Sequence, residues 1–259
     1  MIKEKVLLKF GGSVITDKYS DVPSINSENL TKIGKLVDTS RYQLIIVHGA
    51  GSFGHPAAKK YKLSEGLIDG FQQSEGIKIA RNKVRELNSI FSEILNDNGI
   101  ETESVVPSEK MMTNGSEEIT NFSKEEFDKI LTKGRTPVTF GDVTNDTKQG
   151  INILSGDVLM KYLAKTFEPR LSLFIMDLPG VFDGDPNASS SRIIPLITSK
   201  DLVHFEKLFV STNTDVTGGI IGKIKRAIEI SNFSETWITN VESLESCLKG
   251  KPRGTRVIL

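Results

Sequence analysis

Cysteine is almost missing from this chain of 259 residues: Cys247 stands alone. An intrachain disulfide framework is therefore excluded, and the composition fits the reducing cytoplasm. Cys247 lies in a polar C-terminal stretch with no His or second Cys beside it, so we read it as incidental. Net charge is missing as well. The 33 basic and 33 acidic residues cancel, and no basic tract offers itself to nucleic acid or to an anionic membrane. No stretch approaches the roughly 20 apolar residues of a spanning helix. Met1-Ile2-Lys3-Glu4-Lys5 runs straight into a short strand rather than into the apolar segment of a signal peptide. Internal repeats and long linkers are absent too. With 37% hydrophobic and 25% charged residues, the chain can bury a sizeable core as one large domain or two intimately joined lobes.

What is present is an alternation of short apolar runs with helical patterns. Strands are expected at residues 6–10, 43–47, 102–106, 136–140, 171–176 and 236–238, with a last one near 256–259. Helical periodicity covers 28–37, 75–96, 124–131, 158–167 and 222–231. Asn96-Asp97-Asn98-Gly99 ends the long helix with a C-terminal glycine, and Lys133-Gly134 repeats that signal. This order argues for an α/β protein with βαβ units and a mostly parallel sheet covered on both faces. Such sheets bind ligands at the C-terminal ends of their strands. Residues 113–122 and 183–192 read as exposed loops or hairpins.

Glycine-rich turns follow several of these strands. They are Lys9-Phe10-Gly11-Gly12-Ser13, His48-Gly49-Ala50-Gly51-Ser52-Phe53-Gly54-His55, Phe140-Gly141-Asp142 and Asp215-Val216-Thr217-Gly218-Gly219. Glycine lets backbone N–H groups approach an anion, and a helix starting at the turn adds the positive end of its dipole. One such turn carries little information. Several together, with Lys9, Lys18, His55 and Lys223 nearby, point to a site built around several phosphates, as phosphoryl transfer requires. The spacing Gly49-x-Gly51-x-x-Gly54 also satisfies the dinucleotide fingerprint. That fingerprint needs a second strand about 20 residues on, ending in an acid for the ribose. Residues 57–65 show no such strand, so a nicotinamide enzyme is disfavoured.

Lys-x-Gly-Gly-Ser, His-Gly-x-Gly-Ser-Phe-Gly-His, Gly-Asp-Val, Ser-Gly-Asp and Asp-Val-Thr-Gly-Gly, taken in this order over nearly the whole chain, resemble the amino acid kinase superfamily. Within it the set is most similar to the archaeal isopentenyl phosphate kinases, mainly through Ser52-Phe53-Gly54-His55 and residues 12–18. The resemblance implies an open αβα sandwich. Its N-terminal lobe, residues 1–165, would bind the phosphate acceptor and its C-terminal lobe, 166–259, ATP, on one continuous sheet. It implies transfer of the γ-phosphoryl of ATP to isopentenyl phosphate, with Mg2+ carried as MgATP and no metal ligand from the protein. It also implies a cytoplasmic homodimer, joined through the long helix at 75–96.

The same resemblance assigns roles. Lys9 would bridge donor and acceptor phosphates, and Gly11 and Gly12 would offer N–H groups to the transferring phosphoryl. Lys18 and Lys223 would neutralise the β- and γ-oxygens, with Lys223 in the first turn of a helix opened by Thr217, Gly218 and Gly219. Asp157 would orient the lysines rather than act as a base, although its position also suits a helix N-cap. Asp177, Gly180 and Asp183 would lie in the nucleotide loop. His55 would hold the acceptor phosphate with Ala50, Gly51, Gly54 and Gly141. Ile77 and Ala80, with Val84 on the same helix face, would build an apolar wall for the isoprenoid, joined by Val143 and Ile153.

Three departures from the family pattern stand out. Ala50 occupies a position usually glycine, which works only at negative φ. Val158 stands in place of an aspartate, and Met176-Asp177-Leu178-Pro179-Gly180-Val181 replaces Thr-Asp-Val-Asp-Gly-Val. Alternatives are a sibling kinase of another small phosphate or phosphonate, such as the fosfomycin kinases, or a non-catalytic nucleotide-binding relative. Kinases of carboxylates fit less well, because His55 has no clear role there and the acceptor turn has no arginine.

Overall fold

The computed structural model describes residues 3–17, 22–36, 41–203, 205 and 219–259. Its main sheet has eight strands in the order β10-β12-β11-β9-β1-β2-β6-β3. These are β1 (Glu4–Phe10), β2 (Tyr42–His48), β3 (Thr102–Ser104), β6 (Thr136–Phe140), β9 (Leu171–Ile175), β10 (Leu196–Thr198), β11 (Glu235–Thr239) and β12 (Thr255–Ile258). β12 runs antiparallel to β11 and carries β10 parallel to itself; the six strands from β11 to β3 are mutually parallel. The chain leaves β1 to build β2 on one side and returns later to build β9 on the other. The loops from β1, β2, β6 and β9 therefore part around a crevice at their C-terminal ends, the place where parallel sheets hold ligands.

Side-chain alternation assigns the faces. On β1, Val6, Leu8 and Phe10 point into one core with Leu30 and Ile33 of α2 (Ser27–Leu36) and Leu87, Phe91 and Leu95 of α4 (Ser74–Asp97). Leu7 points the other way, into a core with Leu159 and Leu163 of α7 (Gly156–Phe167) and Ile224 and Ala227 of α8 (Gly219–Ile230). Lys9, two residues on from Leu7, shares that second face and comes up under the start of α7. His48, two residues on from Ile46 in β2, shares the first face with α4. Cys247 is fully buried in this first core rather than lying in a polar tail.

A second, four-stranded sheet in the order β5-β4-β7-β8 went unread in the sequence apart from the hairpin at 113–122. β4 (Met111–Thr113) and β5 (Ile119–Phe122) form that hairpin, and β7 (Asp142–Asp146) and β8 (Gly150–Leu154) form another between β6 and α7. Asp142, Thr144, Asn145, Asp146 and Asn152 give these strands little apolar contrast. Helices were also missed among the described residues: α1 (Gly12–Ile15), only one turn long, α3 (Gly51–Lys60), whose Gly54 and Pro56 mask its period, and the short helices Pro107–Lys110 and Leu244–Leu248. The boundary at residue 165 falls inside α7, and β1 pairs directly with β9 across it. No helix among the described residues is long and apolar enough to cross a membrane.

Candidate active site

The crevice is a cleft of about 950 Å³. The turns after β1, β2, β6 and β9 floor it, α3 and α4 form one wall, and the N-terminal ends of α7 and α8 form the other.

Its charged centre is a triad in which Lys9 and Asp157 are buried and Lys223 is partly exposed. Lys9 Nζ lies 2.5 Å from Asp157 Oδ1, and Lys223 Nζ lies 3.5 Å from Asp157 Oδ2. One carboxylate thus spans two ammonium groups and holds both toward the cleft. Burial pushes Lys9 down to about 8, an effect that Asp157 opposes and Lys223 reinforces. Burial alone would raise Asp157, but the charges of Lys223 and Lys9 outweigh it and hold the carboxyl at about 2. At neutral pH Lys9 is therefore mostly an ammonium and Asp157 a carboxylate. Asp157 is not the helix cap: Ser155 caps α7, its hydroxyl accepting from Val158 N at 3.3 Å. That leaves the Asp157 carboxylate to the lysines. Gly156 makes the arrangement possible, because a Cβ there would sit 2.9 Å from Lys9 Cε and 3.2 Å from Val47 Cγ1.

The first two glycine turns touch backbone to backbone. A Cβ on Gly12 would meet Gly51 N at 2.5 Å, and one on Gly49 would meet Gly12 N at 2.6 Å. Thr16, which sequence reading missed, locks them together. Its hydroxyl donates to Gly12 O at 2.8 Å and accepts from Ser52 N at 3.1 Å. Ala50 has φ −78°, so its side chain is accommodated, and Gly51 takes the positive φ of +50° instead.

Not every expected N–H is available. Gly11 N donates to Ile175 O at 2.9 Å and Gly141 N to His48 O at 3.1 Å, so both are spent on the sheet ends. Gly12, Ser13, Ala50 and Gly51 begin helical turns, where N–H groups have no partner within the helix, and all four line the cleft. Gly54 supplies no anion contact: its amide donates to Ala50 O, and its missing side chain lets α3 lie against Val84.

Lys9, Gly12, Ala50, Gly51, His55, Asp157, Asp177, Gly219 and Lys223 all border the cleft. Lys223 is the fifth residue of α8, one turn deeper than expected, because the helix begins at Gly219. Gly180 and Asp183 do not border it. Gly180 packs against Ile193 and Thr255, and Asp183 closes its loop by accepting from Arg192 N at 2.8 Å. Pro186 and Asn187 from that same loop reach the cleft instead. Lys18, Thr217 and Gly218 lie outside the described residues. Lys59, one turn beyond His55 on α3, also borders the cleft, a helical i, i+4 relation that the glycine pattern did not bring to notice. Val158, at the position where an aspartate was anticipated, is packed in the core.

Beyond His55 the cleft turns apolar. Ala80 and Val84 of α4 face Val143 and Ile153, which are direct partners across the β7–β8 hairpin. Ile77 is set back from it, packed with Ala80, Val143 and Ile153 in a small satellite core. Asp142 is buried beside this wall, accepting from Ser108 N at 3.0 Å and from its own Val143 N, and burial raises its carboxyl above the usual range. Among the described residues no group of three or more His, Cys, Asp or Glu side chains could cage a metal ion.

Known proteins share this arrangement of elements. The isopentenyl phosphate kinase of Methanothermobacter thermautotrophicus is 33% identical over 97% of this chain and 98% of its own. That of Methanocaldococcus jannaschii is 32% identical over 84% of each chain. A crystal structure of an isopentenyl phosphate kinase superposes with a TM-score of 0.85 at 30% identity, covering 98% of this chain and 99% of that one. The model of the amino acid kinase family matches residues 4–240. The chain belongs to the amino acid kinase family.

Proposed function

We propose that this protein transfers the γ-phosphoryl group of ATP to isopentenyl phosphate, giving isopentenyl diphosphate and ADP. One observation carries the reading: Lys9 and Lys223, paired through Asp157, stand in the same cleft as His55 and the apolar wall of Ala80, Val84, Val143 and Ile153. The cations suit a crowded set of phosphate oxygens, the wall suits a short branched hydrocarbon, and His55 lies toward the wall. The names of the similar kinases support the same substrate.

An acceptor phosphate oxygen attacks the γ-phosphorus as the bond to the β–γ bridging oxygen breaks, and ADP carries the electron pair away. The nucleophile is already ionised, so no general base is needed, which agrees with a carboxylate bound to two lysines. Positioning and charge neutralisation do the work. Lys9 lies between the two substrates, Lys223 and Lys18 serve the ATP end, and the N–H groups of Gly12 and Ser13 serve the moving phosphoryl. Ala50, Gly51 and His55 grip the acceptor phosphate. Gly219 and Asp177 border the nucleotide. The cleft suits Mg2+ as a passenger of the triphosphate, where it would offset phosphate charge. A cytoplasmic homodimer belongs to the same reading. In this reading residues 1–165 hold the acceptor and 166–259 the nucleotide, with Lys9, Gly12, Ser13 and Lys18 reaching from the first part to the phosphates of ATP.

The test is turnover. Purified protein with MgATP and isopentenyl phosphate should release ADP and show a new diphosphate by 31P NMR. N-acetylglutamate and fosfomycin run in parallel should give at most background ADP release. Turnover of either in preference to isopentenyl phosphate would overturn the proposal. Light scattering gives the oligomeric state, expected to be two chains.

A further inference from the structure

Behind the acceptor turn lies a buried polar group that the chemistry above does not use. His48, the last residue of β2, is wholly buried, stacked on Phe140 with Phe91 edge-on. Its Nδ1 is 2.9 Å from Gly49 O, and its Nε2 is 3.3 Å from Asn88 Oδ1 on α4. Asn88 Nδ2 lies 2.7 Å from Ser104 Oγ at the end of β3. Burial pushes the imidazole down to about 4, so it is neutral at physiological pH.

Proton counting gives the chain a direction. A neutral imidazole has one donor and one acceptor. Gly49 O can only accept, so the proton sits on Nδ1 and Nε2 must receive one. That requires the Asn88 amide to be turned over from the orientation just given, its NH2 toward Nε2 and its oxygen toward the Ser104 hydroxyl, since an amide's O and N are assigned from the network of partners. The opposite amide orientation would set lone pairs face to face or demand a buried imidazolium. The planar trans peptide carries this order onward. With the Gly49 carbonyl drawn back to His48, the N–H of Ala50 on the same peptide must point the opposite way. Ala50 borders the cleft, and its N–H donates to no protein group among the described residues.

We propose that Ser104, Asn88 and His48 form a directed hydrogen-bond chain that fixes the Gly49–Ala50 peptide and so aims the Ala50 N–H at the acceptor phosphate, making His48 and Asn88 positioning residues. The inference rests on the acceptor-site reading above. It gives a reason for a histidine at a buried position where an apolar residue would pack equally well. It also explains how Ala50 can replace a glycine: the peptide is held from behind, so the turn does not need glycine's freedom at that position.

Two measurements test it. In protein labelled with 15N-histidine, His48, identified by its loss in His48→Asn, should be the neutral Nδ1–H tautomer down to pH 5. An Nε2–H tautomer or an imidazolium would overturn the chain, whatever the substrate proves to be. The second is kinetic. His48→Phe keeps the ring but removes the donor, and should raise KM for isopentenyl phosphate about tenfold while KM for MgATP stays within about twofold. His48→Asn keeps an N–H near the Nδ1 position and should recover most of that loss. Asn88→Leu, which removes only the link behind His48, should raise the acceptor KM by about threefold. Unchanged acceptor KM in His48→Phe and Asn88→Leu, or equal losses in His48→Phe and His48→Asn, would show a packing role only. A wild-type protein inactive on isopentenyl phosphate would sink the functional reading alone, and the tautomer would still decide the chain.

Discussion

One end of the cleft buries charge, and the other buries methyl groups. At the charged end Lys9 is 7% exposed and held by two independent constraints, the Asp157 carboxylate and the absence of a side chain at Gly156. At the apolar end Ala80, Val84, Val143 and Ile153 are held only by packing, and Ile153 is half-buried at the cleft edge. Electrostatic positioning tolerates little displacement, because a lysine moved by an ångström loses its contact with the transferring group. A hydrocarbon wall tolerates much more, since a lost methyl leaves room rather than an unpaired charge. The charged end should therefore govern rate and the apolar end choice of acceptor.

The largest effect should come from Lys9→Ala, with kcat falling by ~10²-fold or more as one preorganised charge is lost. Its fold should survive by circular dichroism but with a lowered melting temperature, because Asp157 is left buried with Lys223 alone. Wild-type kcat in this variant would break the contrast between the two ends.

Gly156→Ala comes next. It adds only a methyl group, but that methyl would stand 2.9 Å from Lys9 Cε, and the lysine is the partner able to move. We expect kcat to fall by about tenfold with the fold intact by circular dichroism. Unchanged kinetics would mean that Lys9 keeps its position without Gly156.

A pH series separates activity from stability. Lys9 sits at about 8 in the folded protein against an ordinary 10.5, so the unfolded chain binds this proton more tightly. As pH rises from 8 toward 10.5, the Lys9 contribution to stability increases, while kcat/KM should decline as the ammonium is lost. Asp157 behaves in the usual carboxylate sense: its contribution is present above its unfolded value and lost as pH falls through about 2. Asp157→Asn leaves Lys9 beside Lys223 without a counter-charge, which lowers Lys9 further. The alkaline limb of its pH–rate profile should therefore shift to lower pH; a shift upward would contradict the triad.

The smallest effect on rate should come from Ile153→Ala. Opening the wall should improve kcat/KM for a ten-carbon monophosphate relative to isopentenyl phosphate, with kcat for the latter within about threefold. Ile77→Ala should change that ratio less, because Ile77 packs behind the wall. Identical preferences in wild type and Ile153→Ala would detach the hairpin from acceptor choice.

Much of this site was legible before the fold was known. Strand period and glycine punctuation located β1, β2, β6 and β9 with the turns that follow them, because a buried parallel strand must be a run of apolar residues and a phosphate-facing turn must be small. Lys9 was conspicuous as a charge inside such a run. The β7–β8 hairpin was not legible: Thr144, Asn145 and Asn152 satisfy their polar groups through strand pairing and Thr113, contacts invisible in a linear pattern. Gly180 and Asp183 carried the right motif and proved to fasten a loop.

The sequence by itself determined which groups are available: a lysine after an apolar strand, glycines where backbones must approach, a serine and an aspartate opening a helix. Those are matters of local stereochemistry and burial preference, and they are written within a few residues of one another. Only the tertiary structure decided which of them meet. It brought Asp157 between Lys9 and Lys223, turned Gly11 and Gly141 inward to the sheet, and set His48 behind Ala50. Each of those outcomes depends on strand order and side-chain facing, which are fixed by residues far apart in the sequence packing against one sheet.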